Sequence, residues 1–227
     1  MNKLFSITFY FSISLVLCSC KTVQSIDGNY YLSQKNKRPP YYIMLLNLES
    51  DGSFEYKEGT VSKLIKSSGK WEIINKNQIL LESYISDIDN IDISVSEVHN
   101  NENTEKLFIL SNFSLHYSDT ADWGIFINGI KYPIKSDSIY IPKDIDITSF
   151  YINGYKDYSA MRPSPSQENI KTIIHKVKNE SANVFYVSFP ILVNSDIFHY
   201  RTINDTVKIG HNKLIWKSKK RKLKKES

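Results

Sequence analysis

"LNLESDGSFEY", residues 46–56, is the stretch on which the fold turns. Asp51-Gly52 tolerates the positive φ angles of a two-residue hairpin turn, and Phe54 and Tyr56 return from it on one face of a strand. Upstream, "YYIMLLNLES" (41–50) has an apolar centre, and Pro39-Pro40 before it stops a longer ladder. "GNYYL" from Gly28 supplies a strand on that side, because paired tyrosines suit a pleated, half-buried surface. Downstream, "SSGKWEIINKNQILLES" (67–83) repeats the device: a glycine turn, a strand around Trp71 and Ile73, a break at 75–77 and a returning strand. Residues 27–85 therefore read as an antiparallel meander.

The same grammar runs on. Ile91, Ile93 and Val95 alternate, "KLFILSNF" is a strand with a kink at Ser111-Asn112, and Asn128-Gly129 makes a further hairpin. "SIYIP", "ITSFYING", "NVFYVSFPILV" and "IFHYRTI" follow, and "DTVKIGHNKLIW" closes as a pair around 210–212. One segment breaks the pattern. "SPSQENIKTIIHKVKN" has Ser164 as N-cap, Pro165 at the first helical position, and Ile170, Ile173, Ile174 and Val177 at helical spacing. The expectation is a mostly β protein: a barrel-like N-terminal meander, a β-sandwich-like part over 86–216, and one short amphipathic helix near 165–178.

Before the fold comes an address. Met1-Asn2-Lys3 precedes an uncharged run from Leu4 to Leu17, shorter than the roughly 20 residues of a membrane-spanning helix. Both cysteines of the chain, Cys18 and Cys20, lie at its end. Leu17-Cys18-Ser19-Cys20 resembles the lipobox of bacterial lipoproteins. That resemblance implies cleavage after residue 19, a diacylglycerol thioether on Cys20, and a palmitate-type lipid anchor followed by a short linker over 20–26. Taking Cys18 as the acceptor fits worse, since Val16 and Leu17 then occupy small-residue positions. An ordinary cleaved leader is the alternative. Lys21 is not the retaining aspartate of inner-membrane lipoproteins, and no acidic surface-export run follows. The family rules thus point to the outer membrane, facing the periplasm.

"GNYY", "LNLESDGSFEY", "SSGKW" and "QILLES" resemble the strand pattern of lipocalin-like and copper-resistance-lipoprotein-like envelope domains. The copper-linked cysteine pair is missing, so no metal and no cofactor is carried over. "GIFINGIKYPIKSDSIYIP" is similar to β-sandwich modules of exported proteins.

Charge is uneven. The formal net charge is +5, but "KSKKRKLKKES" (217–227) holds seven basic residues and one acidic, +6 in all. With Lys3 lost in the leader, the body from Cys20 to Trp216 is left at −2. This segment reads as a solvated, disordered end, with anionic lipid headgroups as the partner it suits. An exported chain has no nucleic acid to meet.

Motifs for catalysis are absent from the sequence. There is no G-x-S-x-G elbow and no phosphate-binding glycine loop, and the five histidines show no metal-ligand spacing. His116 with Asp119 and Asp122, and Asp87 with Asp89 and Asp92, read as polar connections. Among many aromatic residues that serve strands, Tyr41, Tyr42 and Trp123 border loops and are the candidate ligand contacts. The expectation is a non-catalytic binding or scaffolding lipoprotein whose partner is an envelope protein, a glycan or an apolar ligand. A glycan hydrolase with spatially paired carboxylates is the alternative.

Overall fold

The computed structural model describes residues 25–32, 42–60, 63–115, 121–156 and 169–226. Cys20, Tyr41, His116 and Asp119, and the helix start at Ser164-Pro165 lie outside them.

Eight strands form a closed, up-and-down barrel: β1 (Gly28–Leu32), β2 (Ile43–Leu48), β3 (Ser53–Thr60), β4 (Lys63–Asn75), β5 (Gln78–Ser83), then β15 (Asn204–Gly210), β16 (Lys213–Trp216) and β17 (Arg221–Lys225). Every barrel strand pairs antiparallel with its neighbours, and β17 closes the ring against β1, with Tyr30 opposite Lys225 and Leu32 opposite Leu223. The segment expected to be a disordered end is therefore a barrel strand over Arg221–Lys225. Leu223 explains the difference. A run of basic residues repels as free chain, but one inward leucine between outward Lys222 and Lys224 gives the period-2 pattern a strand needs. The barrel is filled, not hollow. Tyr56, Trp216, Phe54, Leu46, Leu48, Met44, Ile79 and Leu81 are all fully buried in it.

The β2–β3 connection differs from the two-residue turn expected. Ser50, Asp51 and Gly52 form a three-residue loop, closed by Glu49 N–H to Ser53 O (2.9 Å) and Gly52 N–H to Glu49 O (3.1 Å). Only Gly52 takes positive φ (84°). The Asp51 carboxylate accepts from Ser53 N–H (2.8 Å) and Oγ (2.6 Å), which fixes the extra residue.

Residues between β5 and β15 form a second unit with its own core. One sheet has the order β10 (Ser138–Ile141), β7 (Lys106–Phe113), β14 (Val184–Val193), β6 (Ser94–Val98); β14 lies parallel to β7. The other has β12 (Asn169–Lys171), β11 (Ser149–Tyr155), β8 (Asp122–Ile127), β9 (Ile130–Pro133), with β13 (His175–Lys176) also on β11. Asn128 (φ 49°) and Gly129 (φ 87°) make the expected two-residue turn between β8 and β9. Phe108 stacks on Phe185 at 4.6 Å, and Phe150 meets Phe108 edge-on at 4.9 Å, joining the two sheets. The barrel is thus built from both ends of the described chain, with the sandwich inserted between them.

The expected helix does not form over Asn169–Val177. Asn169–Lys171 and His175–Lys176 pair with β11 instead. Ile170 and Thr172 point inward two apart, and the Thr172 hydroxyl accepts the Ile152 N–H at 2.9 Å. The β-branched side chains that supply the apolar face restrict χ1 and suit a sheet edge better than a helix. "IFHYRTI" likewise begins within a short 3₁₀ helix, Ser195–His199, capped by Asn194 Oδ1 accepting Asp196 N–H at 2.9 Å.

Candidate functional site

The barrel and sandwich meet at the barrel end from which β5 leaves and to which β15 returns. The Ser83 and Ile203 backbones bond at 2.8 Å, and Ser83 Oγ accepts Ile203 N–H at 2.7 Å while contacting Ser67 Oγ at 2.7 Å. Arg201 N–H donates to Lys66 O (2.8 Å) and the Tyr200 hydroxyl to Ser68 O (2.7 Å), so the segment that leaves the sandwich is stitched to β4. These bonds satisfy polar groups that the junction would otherwise bury unpaired.

Beside this seam lies an open cleft of about 300 Å³. Glu55, Lys57, Lys66, Ser67 and Ser68 line it from the barrel; Ile191, Leu192, Asn194, Asp196 and Tyr200 line it from the other unit. Lys66 Nζ reaches Asp196 Oδ2 at 2.5 Å across the cleft, and Lys57 sits 3.5 Å from Glu55. Leu192 is 56 % exposed on the rim. The walls therefore offer matched charges, hydroxyls and an amide beside one aliphatic edge. A second hollow of about 320 Å³ lies along the barrel wall by Trp71, Glu72, Glu82 and Tyr84, built from barrel strands, the β2–β3 loop and the residue that follows β5. The Trp71 indole N–H is committed to Glu49 O at 2.9 Å.

Near the cleft, a polar cluster closes the barrel mouth. The Glu58 carboxylate accepts from the Tyr42 and Tyr56 hydroxyls, from Lys219 Nζ at 3.2 Å, and from Arg201 Nη1 at 3.5 Å. The Lys219 ammonium also donates to Tyr56 Oη (2.6 Å) and lies over the rings of Tyr56 (4.1 Å) and Trp216 (4.7 Å). The Trp216 indole donates to Asp205 Oδ2 at 2.5 Å, and Ser218 Oγ donates to the same oxygen. Burial alone would raise the Glu58 carboxyl, but its donors outweigh burial and hold it below the usual range. Burial pushes the Tyr56 hydroxyl far up, with Glu58 adding to the effect. Burial lowers the Lys219 ammonium against the pull of Glu58. Both Glu58 oxygens accept hydrogen bonds, and the cluster forms a plug across the barrel mouth.

Of the candidate ligand contacts, Tyr42 belongs to the plug. Trp123 is placed differently from the loop-border position expected. It is 3 % exposed, in the sandwich core against Phe113 (5.2 Å) and Phe198 (5.7 Å), with Gly154 beneath it. Asp87 is a turn residue, accepting Asp89 N–H (2.9 Å) and Asn90 Nδ2 (2.8 Å), and Asp122 pairs with Lys131 at 2.5 Å. Among the described residues no group of three or more His, Cys, Asp or Glu is placed to hold a metal. Nor is any helix there long and apolar enough to cross a membrane. Lys219, Arg201 and the cleft residues carried no sequence signal, because they converge only once the two chain ends share one barrel. No family, no curated protein and no solved structure matches the chain.

Proposed function

We propose that the chain is an exported lipoprotein held by acyl chains on Cys20, and that it binds a glycan without catalysis in the cleft between its two β units. The observation that carries the binding reading is the seam cleft, walled from both units, a preferred place for ligand sites. Its chemistry favours a sugar chain. Lys57, Lys66, Glu55, Asp196, Asn194 and the serines can exchange hydrogen bonds with hydroxyls, and Ile191 and Leu192 can cover a C–H face. An apolar ligand in the barrel is disfavoured, since buried side chains fill the interior. The leader layout and Lys21 support an outer-membrane, periplasm-facing tether.

Saturation-transfer NMR on the detergent-extracted full chain with oligosaccharides released from envelope material tests the reading. The expected result is transfer to sugar protons, lost in Asn194→Ala and Leu192→Arg. Equal transfer in both variants, or none in the wild type, contradicts it.

A further inference from the structure

We infer that the outer wall of β15–β17 is a preformed docking face for anionic lipid headgroups of the membrane that holds the protein. Two rungs of outward residues make the face. In one, Tyr31, Lys224 and Lys213 lie directly opposite one another; in the other, Lys222, Ile215 and Lys208 do. The inward residues between them, Leu223, Leu214, Trp216 and Val207, are fully buried, so the lysines cannot turn away without opening the barrel. Among the described residues no carboxylate pairs with Lys208, Lys213, Lys222 or Lys224. Glu226, at the lower edge, is bonded to Asn29 and Tyr31, each at 3.2 Å.

Lys213 opposite Lys224 is a like-charge pair on one face, which a sheet ordinarily disfavours. An external anion relieves it. Tyr31 and Ile215, an amphipathic ring and an aliphatic side chain, suit the boundary between headgroups and acyl chains. The position agrees with the partner. Lys225 Nζ donates to Ser25 O at 2.5 Å, so the chain leading back to Cys20 leaves from beside β17. The five residue-to-residue steps from Cys20 to Ser25 reach at most about 18 Å when extended, which keeps the lysine wall close to the lipid surface. This part rests on the tether reading above; the charge pattern does not.

The test uses the intact acylated chain in vesicles of phosphatidylcholine alone or with 30 % phosphatidylglycerol. Lysine acetylation rates are read by mass spectrometry. Each lysine near such a surface favours the docked state by about fivefold. Lys213, Lys222 and Lys224 are therefore expected to react at least about fivefold more slowly in the anionic vesicles, with Lys143 on the sandwich unchanged. Salt at 0.5 M should remove the difference, and Lys222→Glu with Lys224→Glu should remove the protection of Lys213. Equal rates in both vesicles, with the acyl mass present on the Cys20 peptide, overturn the inference. Protection by soluble polyphosphate but not by vesicles also overturns it. Absence of the acyl mass sinks the tether reading instead; protection by added anionic vesicles in that case sustains the docking face alone.

Discussion

Replacing Glu58 with Gln tests the plug at the barrel mouth. The carboxylate takes two tyrosine hydroxyls and Lys219, and the side chains of Glu58 and Lys219 are only 15 % and 18 % exposed. Glutamine keeps the volume and one acceptor but removes the carboxylate that Lys219 touches, leaving its ammonium only the weaker pull of Asp205. Removing one partner of a fully buried pair costs about 3–5 kcal/mol, and the residual water access here reduces this to about 2–3. Lys219→Met leaves the carboxylate both tyrosine donors and should cost less, about 1–2 kcal/mol. The double variant should lose less than the sum by about 1 kcal/mol or more, because its members share partners. Urea unfolding followed by tryptophan fluorescence reads this, Trp216 lying directly beneath Lys219. The pH dependence has a definite sign. The folded carboxyl titrates below its unfolded value, near 4.3 for glutamate. Its stabilisation is therefore complete above that value and fades as pH falls through the lower folded one. Glu58→Gln should flatten this acid limb. A cost under about 0.5 kcal/mol, within the range of ordinary surface substitutions, together with an unchanged acid limb, would refute the plug.

Further outcomes follow from the packing. Gly154→Ala places a methyl 2.5 Å from the Trp123 ring, and forcing the indole aside should cost about 1–3 kcal/mol in calorimetry. Gly69→Ala is worse, since the methyl meets the Glu82 carbonyl oxygen at 1.9 Å and the Phe54 ring at 2.6 Å; loss of folded barrel is expected by circular dichroism. Phe185→Ala empties the centre of the sandwich's aromatic cluster and should cost about 3–5 kcal/mol by urea titration. Glu97 bridges the sheets through His175 (2.7 Å) and the Asn179 N–H (2.6 Å). Burial opposes these bonds, yet they keep its carboxyl low, so Glu97→Gln should also remove stability that the wild type loses only in acid.

The sequence carried the strands well where chemistry was local. Asn128-Gly129 specified its turn, Asn75 to Asn77 its break, and the alternation around Phe54 and Tyr56 its inward face. Two elements misled for physical reasons. Ile170, Ile173, Ile174 and Val177 satisfy a helical period, but β11 offered an open edge that β-branched residues fill better. The C-terminal lysines look like free chain until β1 and β16 supply two partners and a place for Leu223. The site was the least legible part. Glu58, Arg201 and Lys219 lie far apart in the chain, and only barrel closure brings them together. Trp123 looked like a loop-border ring because its neighbours in the core, Phe113, Gly154 and Phe198, come from three other segments.

Barrel closure by Arg221–Lys225 is the claim on which the plug and the lysine wall depend. Amide hydrogen exchange measured residue by residue over this strand tests it directly. Slow exchange at the Lys224 and Glu226 amides, which face β1 (Glu226 N–H donates to Asn29 O at 2.8 Å), comparable with that in β1 itself, is the predicted result. Exchange of those amides at the rate of unstructured chain would contradict the account.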